Sequence, residues 1–242
     1  MLHSLLVILL LLVPRGARPA PSDPVQVVEV DLVYARATLL RGRGGAVLVD
    51  TGLPGAGARI LGVAHRAGIE PEDIELIVLT HVHVDHAGGA AELAQRTGAR
   101  VAVQAAGQGL LAAGLGAPVV PHTPLGEVIA WVGDDHRVPA YDAEIVVEDR
   151  LDLTPWGIDG FVLAAPGHTA CSQAVVVPGQ LAVVGDLIVG PSKSPQIPNL
   201  RELPDQVISS IQAVLAYHPQ QLYLGHVAPV PEERAVALVD AR

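Results

Sequence analysis

The order of apolar and polar residues along the chain predicts strands first, then alternating helices and strands. From Val25 to Asp50, three runs rich in β-branched residues are interrupted by the turn RGRGG, a pattern typical of strands. Apolar residues then recur at helical spacing from Gly55 to Ala67, and the continuous apolar run IELIVLT follows as a buried strand. A second helix, AAELAQRTG, and a second strand, RVAVQ, repeat this alternation. We therefore expect an α/β layered fold.

Between Ala105 and Arg150 the periodic pattern weakens, and glycine, proline and charged residues predominate. Because long loops in compact domains usually have a functional role, we predict that residues 105–150 form a partly ordered insertion that faces the substrate. Strand-like runs resume with AEIVVE, GFVLAAP, SQAVVVP and LAVVGD, and a helix predicted from Pro204 to Tyr217 precedes the last strand, QLYLGH. The two strand-rich halves predict a sandwich of two sheets with helices outside.

Residues 1–24, MLHSLLVILLLLVPRGARPAPSDP, resemble a signal peptide, because an apolar run from Leu5 to Val13 precedes a stretch rich in proline and alanine. The run is too short to span a bilayer, so we expect no stable membrane span. No lysine or arginine precedes it and no A-x-A cleavage site follows it, which leaves an uncleaved tail or an upstream extension as alternatives. We expect a secreted or periplasmic protein if this leader is a signal peptide and a cytoplasmic one otherwise, with one domain over residues 25–242.

Composition narrows the choice of partners and of metal ligands. Half of the 242 residues are apolar, which is enough for one large core without disulfides. The net charge of -10 and the scattered lysines and arginines argue against a nucleic-acid partner and favour a small-molecule substrate. The single cysteine, Cys171, excludes an intrachain disulfide and a Cys-rich zinc site, so any metal must be held by histidine and carboxylate. The sequence leaves the oligomeric state open.

The stretch THVHVDHAGG places three histidines and an aspartate directly after the predicted strand IELIVLT. His81, His83 and Asp85 alternate on an extended segment, so their side chains share one face, while His86 turns away as the chain enters the next helix. Burying such groups is unfavourable unless something pairs with them, and a metal ion is the obvious candidate.

Three later strand ends supply further ligands of the same kind. His168 in LAAPGHTA, Asp186 in LAVVGDLI and His226 in LYLGHVA each follow a glycine that lets the backbone approach a shared centre. The resulting set holds five histidines and two aspartates, which is enough for two metal ions with room for water.

The succession H-x-H-x-D-H, G-H, G-D and G-H at strand ends resembles the metallo-β-lactamase fold superfamily, and LVDTG from Leu48 to Gly52 matches a further landmark of that family. The resemblance implies an αββα four-layer sandwich with the metals at one edge. It implies a first metal on His81, His83 and His168. It implies a second metal on Asp85, His86 and His226, with Asp186 bridging the two.

The resemblance also implies the chemistry. Two divalent ions about 3.5–4 Å apart would share a hydroxide whose pKa falls to about 7 and which attacks a carbonyl. Imidazole and carboxylate suit two Zn²⁺ ions, and iron or manganese would also fit. Asp85 is the expected catalytic residue, because it holds the second metal and orients the hydroxide. Asp50 is expected either to hydrogen-bond a ligand from outside or to act only as a turn former.

A bridging aspartate resembles the glyoxalase II, lactonase and phosphodiesterase branches, whereas true β-lactamases usually lack one. We therefore predict a metal-dependent hydrolase of a small ester, lactone or thioester. The alternatives are an oxidoreductase resembling the persulfide dioxygenases, with a single iron on two histidines and one aspartate, a β-lactamase, and a metal-binding protein without catalysis.

Aromatic residues of the 105–150 segment are candidates for the substrate pocket. Trp131 and Tyr141 would either line this pocket or form the core of the insertion. His122 and His136 are further candidates for contacts because they lie in the same segment. Cys171 is expected to be a small buried hydrophobe rather than a nucleophile.

Overall fold

The computed structural model describes residues 24–132 and 137–241, and two six-stranded sheets form its centre. The first sheet contains, in spatial order, β1 (Gln26–Asp31), β2 (Arg36–Arg41), β3 (Ala46–Val49), β4 (Ile74–Val78), β5 (Arg100–Gln104) and β6 (Ile145–Val147). The second contains β7 (Arg150–Asp152), β8 (Phe161–Ala164), β9 (Gln173–Val177), β10 (Leu181–Gly185), β11 (Gln221–Leu224) and β12 (Val230–Pro231). Strands β3 to β6 are parallel to one another, as are β10 and β11, and the other pairs are antiparallel.

Helices occur between strands of both sheets and after the last strand. They are α1 (Gly57–Arg66), α2 (Val84–Ala87), α3 (Ala90–Thr97), α4 (Ala105–Ala112), α5 (Pro124–Val132), α6 (Val207–Leu215) and α7 (Glu232–Asp240). Apolar residues of α1, α3 and α4 pack on the outer face of the first sheet, and those of α6 and α7 pack on the outer face of the second. None of the helices within residues 24–132 and 137–241 is long and apolar enough to cross a bilayer.

A third core between the sheets completes the four layers. In β3, Val47 and Val49 face this middle core, whereas Leu48 faces the helices. The same alternation holds in β4, where Leu76 points inward and Ile77 outward. Strands buried on both faces are continuously apolar, which explains the unbroken run IELIVLT. The predicted αββα sandwich is confirmed.

Most predicted elements form close to their expected limits, but the middle of the chain differs. Helix α3 ends as expected at Gly98, whose φ of 77° is left-handed. Within residues 105–150, however, α4 packs on the first sheet through Leu111 and β6 pairs with β5, so both belong to the scaffold. Their signals in the sequence are weak because α4 is rich in alanine and glycine and β6 is only 3 residues long. Almost all of the leader, residues 1–23, lies outside the described residues.

Candidate metal centre

All seven predicted ligands lie at one edge of the sandwich, where strands of both sheets end. The chain leaves β4 and enters α2 through His81, His83, Asp85 and His86. The second sheet supplies the others from the loops that follow three of its strands, namely His168 after β8, Asp186 after β10 and His226 after β11. Ligands distant in sequence therefore meet because neighbouring strands end together.

Three imidazoles form the first ligand group, His81, His83 and His168. Nδ1 of His83 lies 3.0 Å from Nε2 of His81 and 3.1 Å from Nε2 of His168. Three nitrogens on a tetrahedral zinc ion would be about 3.3 Å apart, given Zn–N bonds of about 2.0–2.1 Å. The group therefore fits one small cation at its centre.

The second ligand group consists of Asp85, His86 and His226. Nε2 of His86 lies 3.5 Å from Nε2 of His226, and Oδ2 of Asp85 lies 3.8 and 3.6 Å from these two nitrogens. This group is more open than the first, because the Asp85 side chain is 25% exposed and that of His226 35% exposed.

Asp186 lies between the two groups. Its Oδ2 is 3.0 Å from Nε2 of His226 and 3.7 Å from Nε2 of His168, while Oδ1 is 3.6 Å from Nε2 of His86. Oδ1 is buried and has no hydrogen-bond partner among the described residues. An unpaired buried carboxylate oxygen is costly, and a cation beside it would remove that cost, so the site fits a metal.

Hydrogen bonds from outside orient four of the five imidazoles. Nδ1 of His168 donates to the Leu200 carbonyl at 2.8 Å, and Nδ1 of His226 donates to the carbonyl of Tyr34. Because the proton of each ring then lies on Nδ1, the lone pair of Nε2 points into the site. Nδ1 of His81 faces the Thr80 hydroxyl at 3.1 Å, which leaves its Nε2 free in the same way.

Asp50 orients His86, the fourth of these imidazoles. Its Oδ2 accepts a hydrogen bond from Nδ1 of His86 at 2.8 Å, and its two oxygens also accept from the backbone N–H and the hydroxyl of Thr80 at 2.7 and 2.8 Å. Asp50 is buried and has a left-handed φ of 62°, which is uncommon for a residue other than glycine. The backbone turn after β3 thus aims a carboxylate at the ligand loop.

Glycines allow the backbone to come this close. A Cβ added to Gly225, the residue before His226, would lie 2.3 Å from Oδ1 of Asp186 and 2.6 Å from Cε1 of His86. Gly185, the residue before Asp186, has a φ of 53°, and a Cβ there would meet the Thr80 hydroxyl. At these two positions, as expected from the sequence, the absence of a side chain lets the backbone approach the centre.

Electrostatics differ between the two groups. Burial lowers the pKa of His81 well below its usual value and lowers that of His83 to about 3, and it also lowers the pKa of His168. Burial acts the same way on His86, but Asp85, Asp50 and Asp186 outweigh it and raise the pKa to about 10. Asp186 raises the pKa of His226 to about 9. The first group therefore offers neutral imidazoles, whereas carboxylates dominate the second.

A cavity of about 780 Å³ opens above the ligands. Its floor consists of the five predicted ligands that line it, His83, Asp85, His168, Asp186 and His226. Its wall consists of the other lining residues, which come from the β1–β2 turn, positions 53 and 84, segment 116–119, helix α5 and segment 189–200. Most of the wall is apolar, a composition typical of sites for small molecules.

The two aromatic residues predicted for the pocket lie elsewhere. Trp131 is 82% exposed, and neither it nor Tyr141 belongs to the wall. Tyr141 packs against the outer core of the first sheet, and its hydroxyl donates to Glu144 at 2.7 Å. That prediction relied on the two residues lying in segment 105–150, but α5 directs Val128 and Ile129 to the cavity instead.

Other residues of the cavity were missed by sequence reasoning. Tyr34, in the β1–β2 turn, belongs to the wall, as does Asn199. An exposed tyrosine in a turn has no distinctive sequence signal, and both residues lie far along the chain from the histidine motif. His122 contacts the Arg201 carbonyl at 2.9 Å and lies outside the lining, and His136 lies outside the described residues.

Comparison with known proteins places this arrangement in a family. Residues 30–219 match the family model for the metallo-beta-lactamase superfamily. The hydroxyacylglutathione hydrolase of Xanthomonas campestris pv. campestris (strain B100) is 34% identical over 143 residues, which cover 59% of this chain and 42% of that protein. The enzyme of the same name from Methylobacillus flagellatus is 30% identical over 190 residues, covering 78% and 60%. The matches span less than two thirds of these relatives' length.

Solved structures share the fold. A metallo-β-lactamase from Novosphingobium pentaromativorans superimposes with a TM-score of 0.67 at 20% identity, covering 89% of this chain and 83% of that one. A subclass B3 metallo-β-lactamase of Bradyrhizobium japonicum gives a TM-score of 0.61 at 22% identity, covering 93% and 92%. At such identities the likeness concerns the fold alone.

Proposed function

The chain belongs to the metallo-β-lactamase superfamily, and we propose that it is a dinuclear zinc hydrolase of a small ester, lactone or thioester. Its family and its hydrolase relatives support a metal-dependent hydrolase. The observation that carries the finer proposal is the position of Asp186, whose two oxygens face both ligand groups at the floor of one cavity.

The donor set fits two metal ions. His81, His83 and His168 would hold the first, and Asp85, His86 and His226 the second, with Asp186 shared between them. Bound divalent ions polarise a carbonyl and lower the pKa of a coordinated water to about 7. Imidazole nitrogen and carboxylate oxygen are donors that zinc accepts well.

The residues themselves have distinct tasks. Asp85 faces the cavity with a partly exposed carboxylate, so it is placed to accept a proton from water at the floor and to hold it near the substrate. Asp50 keeps the proton of His86 on Nδ1, so that Nε2 faces the site. The apolar wall keeps bulk water away from the reacting carbonyl.

One observation favours a second candidate. His81, His86 and Asp186 form a buried set of two histidines and one carboxylate. This composition is typical of non-haem iron sites, so an iron-dependent oxidoreductase resembling the persulfide dioxygenases is the alternative. Asp85 and His226, which such a site would not need, complete the larger set and favour the hydrolase. The β-lactamase alternative has only the shared fold in its support.

Metal analysis combined with turnover separates these candidates. The full chain, purified without added metal, is assayed for metal content and then for hydrolysis of a thioester and a lactone. We expect two zinc ions per chain and hydrolysis of at least one of the two substrate types. One iron per chain with oxygen consumption on a persulfide would overturn the hydrolase proposal in favour of the oxidoreductase.

A further inference from the structure

The residues of the cavity wall indicate the charge and polarity of the substrate, which the metal ligands alone do not indicate. Resting on the proposed hydrolase function, we propose that the substrate is electrically neutral and presents an apolar acyl chain to the wall, unlike a glutathione thioester. The relatives described above are named for an acylglutathione, so this inference separates the chain from them in substrate class.

The first support is that no lysine or arginine side chain within residues 24–132 and 137–241 lines the cavity. Among the described residues, the lining of the cavity contains no lysine and no arginine, and its only charged carboxylates are the metal ligands Asp85 and Asp186. A glutathione moiety carries two carboxylates, and selective binding of carboxylates relies on arginine or lysine partners. The chain's net charge of -10 adds no attraction for an anion.

The second support is the character of the wall. Its side chains are aliphatic at Leu53, Val119, Val128, Ile129 and Val189. Such a surface gains free energy from burying methylene groups and offers no compensation to a buried charge. An acyl chain attached to the carbonyl at the floor would lie along these residues.

The third support is that the polar groups of the wall are neutral. Oδ1 of Asn199 accepts a hydrogen bond from the Thr123 hydroxyl at 2.9 Å, which fixes the amide and leaves its NH₂ group as a donor. The other polar residue of the wall, among those that the structure describes, is Tyr34, which is neither acidic like a carboxylate nor basic like lysine or arginine. These groups match an ester, lactone or amide oxygen rather than a carboxylate.

Exposed apolar residues extend the same surface to the mouth of the cavity. On α5, Val128 is 57% exposed and Ile129 is 42% exposed, although both line the cavity. Tyr34 on the β1–β2 turn is 69% exposed. Apolar side chains at the rim allow a chain longer than the cavity to remain in contact with protein.

Paired thioesters test the inference. The zinc-loaded full chain is assayed with acetyl, butanoyl and hexanoyl thioesters of N-acetylcysteamine, which is neutral, and of glutathione, which is anionic. We expect kcat/KM to rise about two- to fourfold per added CH₂ in the neutral series. For each acyl group, we expect the glutathione thioester to react about tenfold more slowly or worse, because its carboxylates lack partners.

A charge introduced into the wall sharpens the test. Val128→Lys should raise the ratio of glutathione to N-acetylcysteamine turnover about three- to tenfold, because it supplies the missing cation. Leu125→Lys is the matched control, since Leu125 lies on the same helix, is 59% exposed and does not line the cavity. Its ratio should equal that of the unmodified chain.

Each outcome has a definite meaning. Preference for glutathione thioesters, or no dependence on chain length in the neutral series, would overturn the inference while leaving the hydrolase proposal intact. A zinc-loaded, folded chain that cleaves neither series nor a lactone would instead reject the hydrolase proposal, and this inference with it. Equal responses of the two lysine variants would show that Val128 does not border the substrate, and would likewise overturn the inference.

Discussion

The floor and the wall of the cavity are built in opposite ways. Floor residues are polar, and hydrogen bonds fix their orientation, as when the Leu200 carbonyl holds His168 and the Tyr34 carbonyl holds His226. Wall residues are mostly apolar, and side chains such as those of Val128 and Ile129, which form no hydrogen bonds, remain half exposed. On the proposed function, the floor would carry the reaction chemistry and the wall would recognise the substrate.

The separation has an origin in the fold. The floor lies at strand ends of two packed sheets, where Asp186 and His226 follow the neighbouring parallel strands β10 and β11. Most of the wall lies on loops and on α5, which tolerate sequence change better than the sheets that support the floor. The wall residue Asn199 is held through the backbone, because its carbonyl accepts a hydrogen bond from the N–H of His122, just before α5, at 2.9 Å.

The largest effect is expected at the centre of the floor. Asp186→Ala removes the carboxylate that faces both ligand groups, so metal content should fall and turnover should drop more than about 100-fold. This loss exceeds the effect of about 10- to 100-fold that is typical for a residue that only orients a metal ligand. Elemental analysis and thioester hydrolysis measure the two quantities. A variant that retained two metals and full activity would show that Asp186 does not bridge.

A smaller loss is expected one layer outside the floor. In Asp50→Asn, the side-chain oxygen can keep the bond to Thr80 N–H, but the amide NH₂ then faces Nδ1 of His86 and favours the tautomer with its proton on Nε2. Metal affinity should fall about 10- to 100-fold, as measured by competition with a chelator.

The same variant carries its own structural control. Asparagine tolerates the left-handed φ of 62° at position 50, so the backbone turn should persist, and far-UV circular dichroism should be unchanged. Unaltered metal affinity in this folded variant would mean that Asp50 is only a turn former.

Changes in the wall should affect recognition and leave the floor intact. Ile129→Ser should raise KM for an apolar ester about two- to tenfold, with unchanged metal content and nearly unchanged kcat. Leu125→Ser, on the same helix but outside the lining, should leave KM unchanged. Loss of metal from the Ile129 variant would contradict the separation of floor from wall.

The floor residues could be predicted from the sequence more fully than the wall residues, for a physical reason. A ligand set needs particular residue types at strand ends, so His81, His168 and Asp186 stand out beside apolar runs and glycines, and the structure brings them together. The sandwich was predictable in the same way, because strands buried on both faces are continuously apolar.

An apolar wall has no such signature. Val128 and Ile129 look like any apolar pair in a helix, and their place beside the floor depends on how α5 is oriented, which no local pattern encodes. Trp131 is a candidate for the pocket by sequence because it is aromatic, yet it lies on the exposed side of the same helix. Short or glycine-rich scaffold elements such as β6 and α4 were hidden for a related reason, because their stability comes from packing on the first sheet.

The smallest effect is expected at Cys171, which belongs to neither floor nor wall. The thiol is 1% exposed and contacts the Thr169 hydroxyl at 3.3 Å, and burial raises its pKa, so it lacks the thiolate character of a nucleophile. The proposed chemistry requires no acyl-enzyme. Cys171→Ala should therefore change kcat/KM by less than about twofold and lower the free energy of unfolding by about 1 kcal/mol.

Asp85→Asn provides the contrast that makes this small effect informative. The substitution keeps the shape of a floor residue that faces the cavity but removes its charge, so turnover should fall far more than in the Cys171 variant. Rapid-mixing kinetics of the unmodified chain should show no burst of product, because no covalent intermediate accumulates. A burst equal to the enzyme concentration that disappeared in Cys171→Ala would assign the nucleophile to the thiol. The proposal that the floor of the cavity supplies the nucleophile would then be wrong.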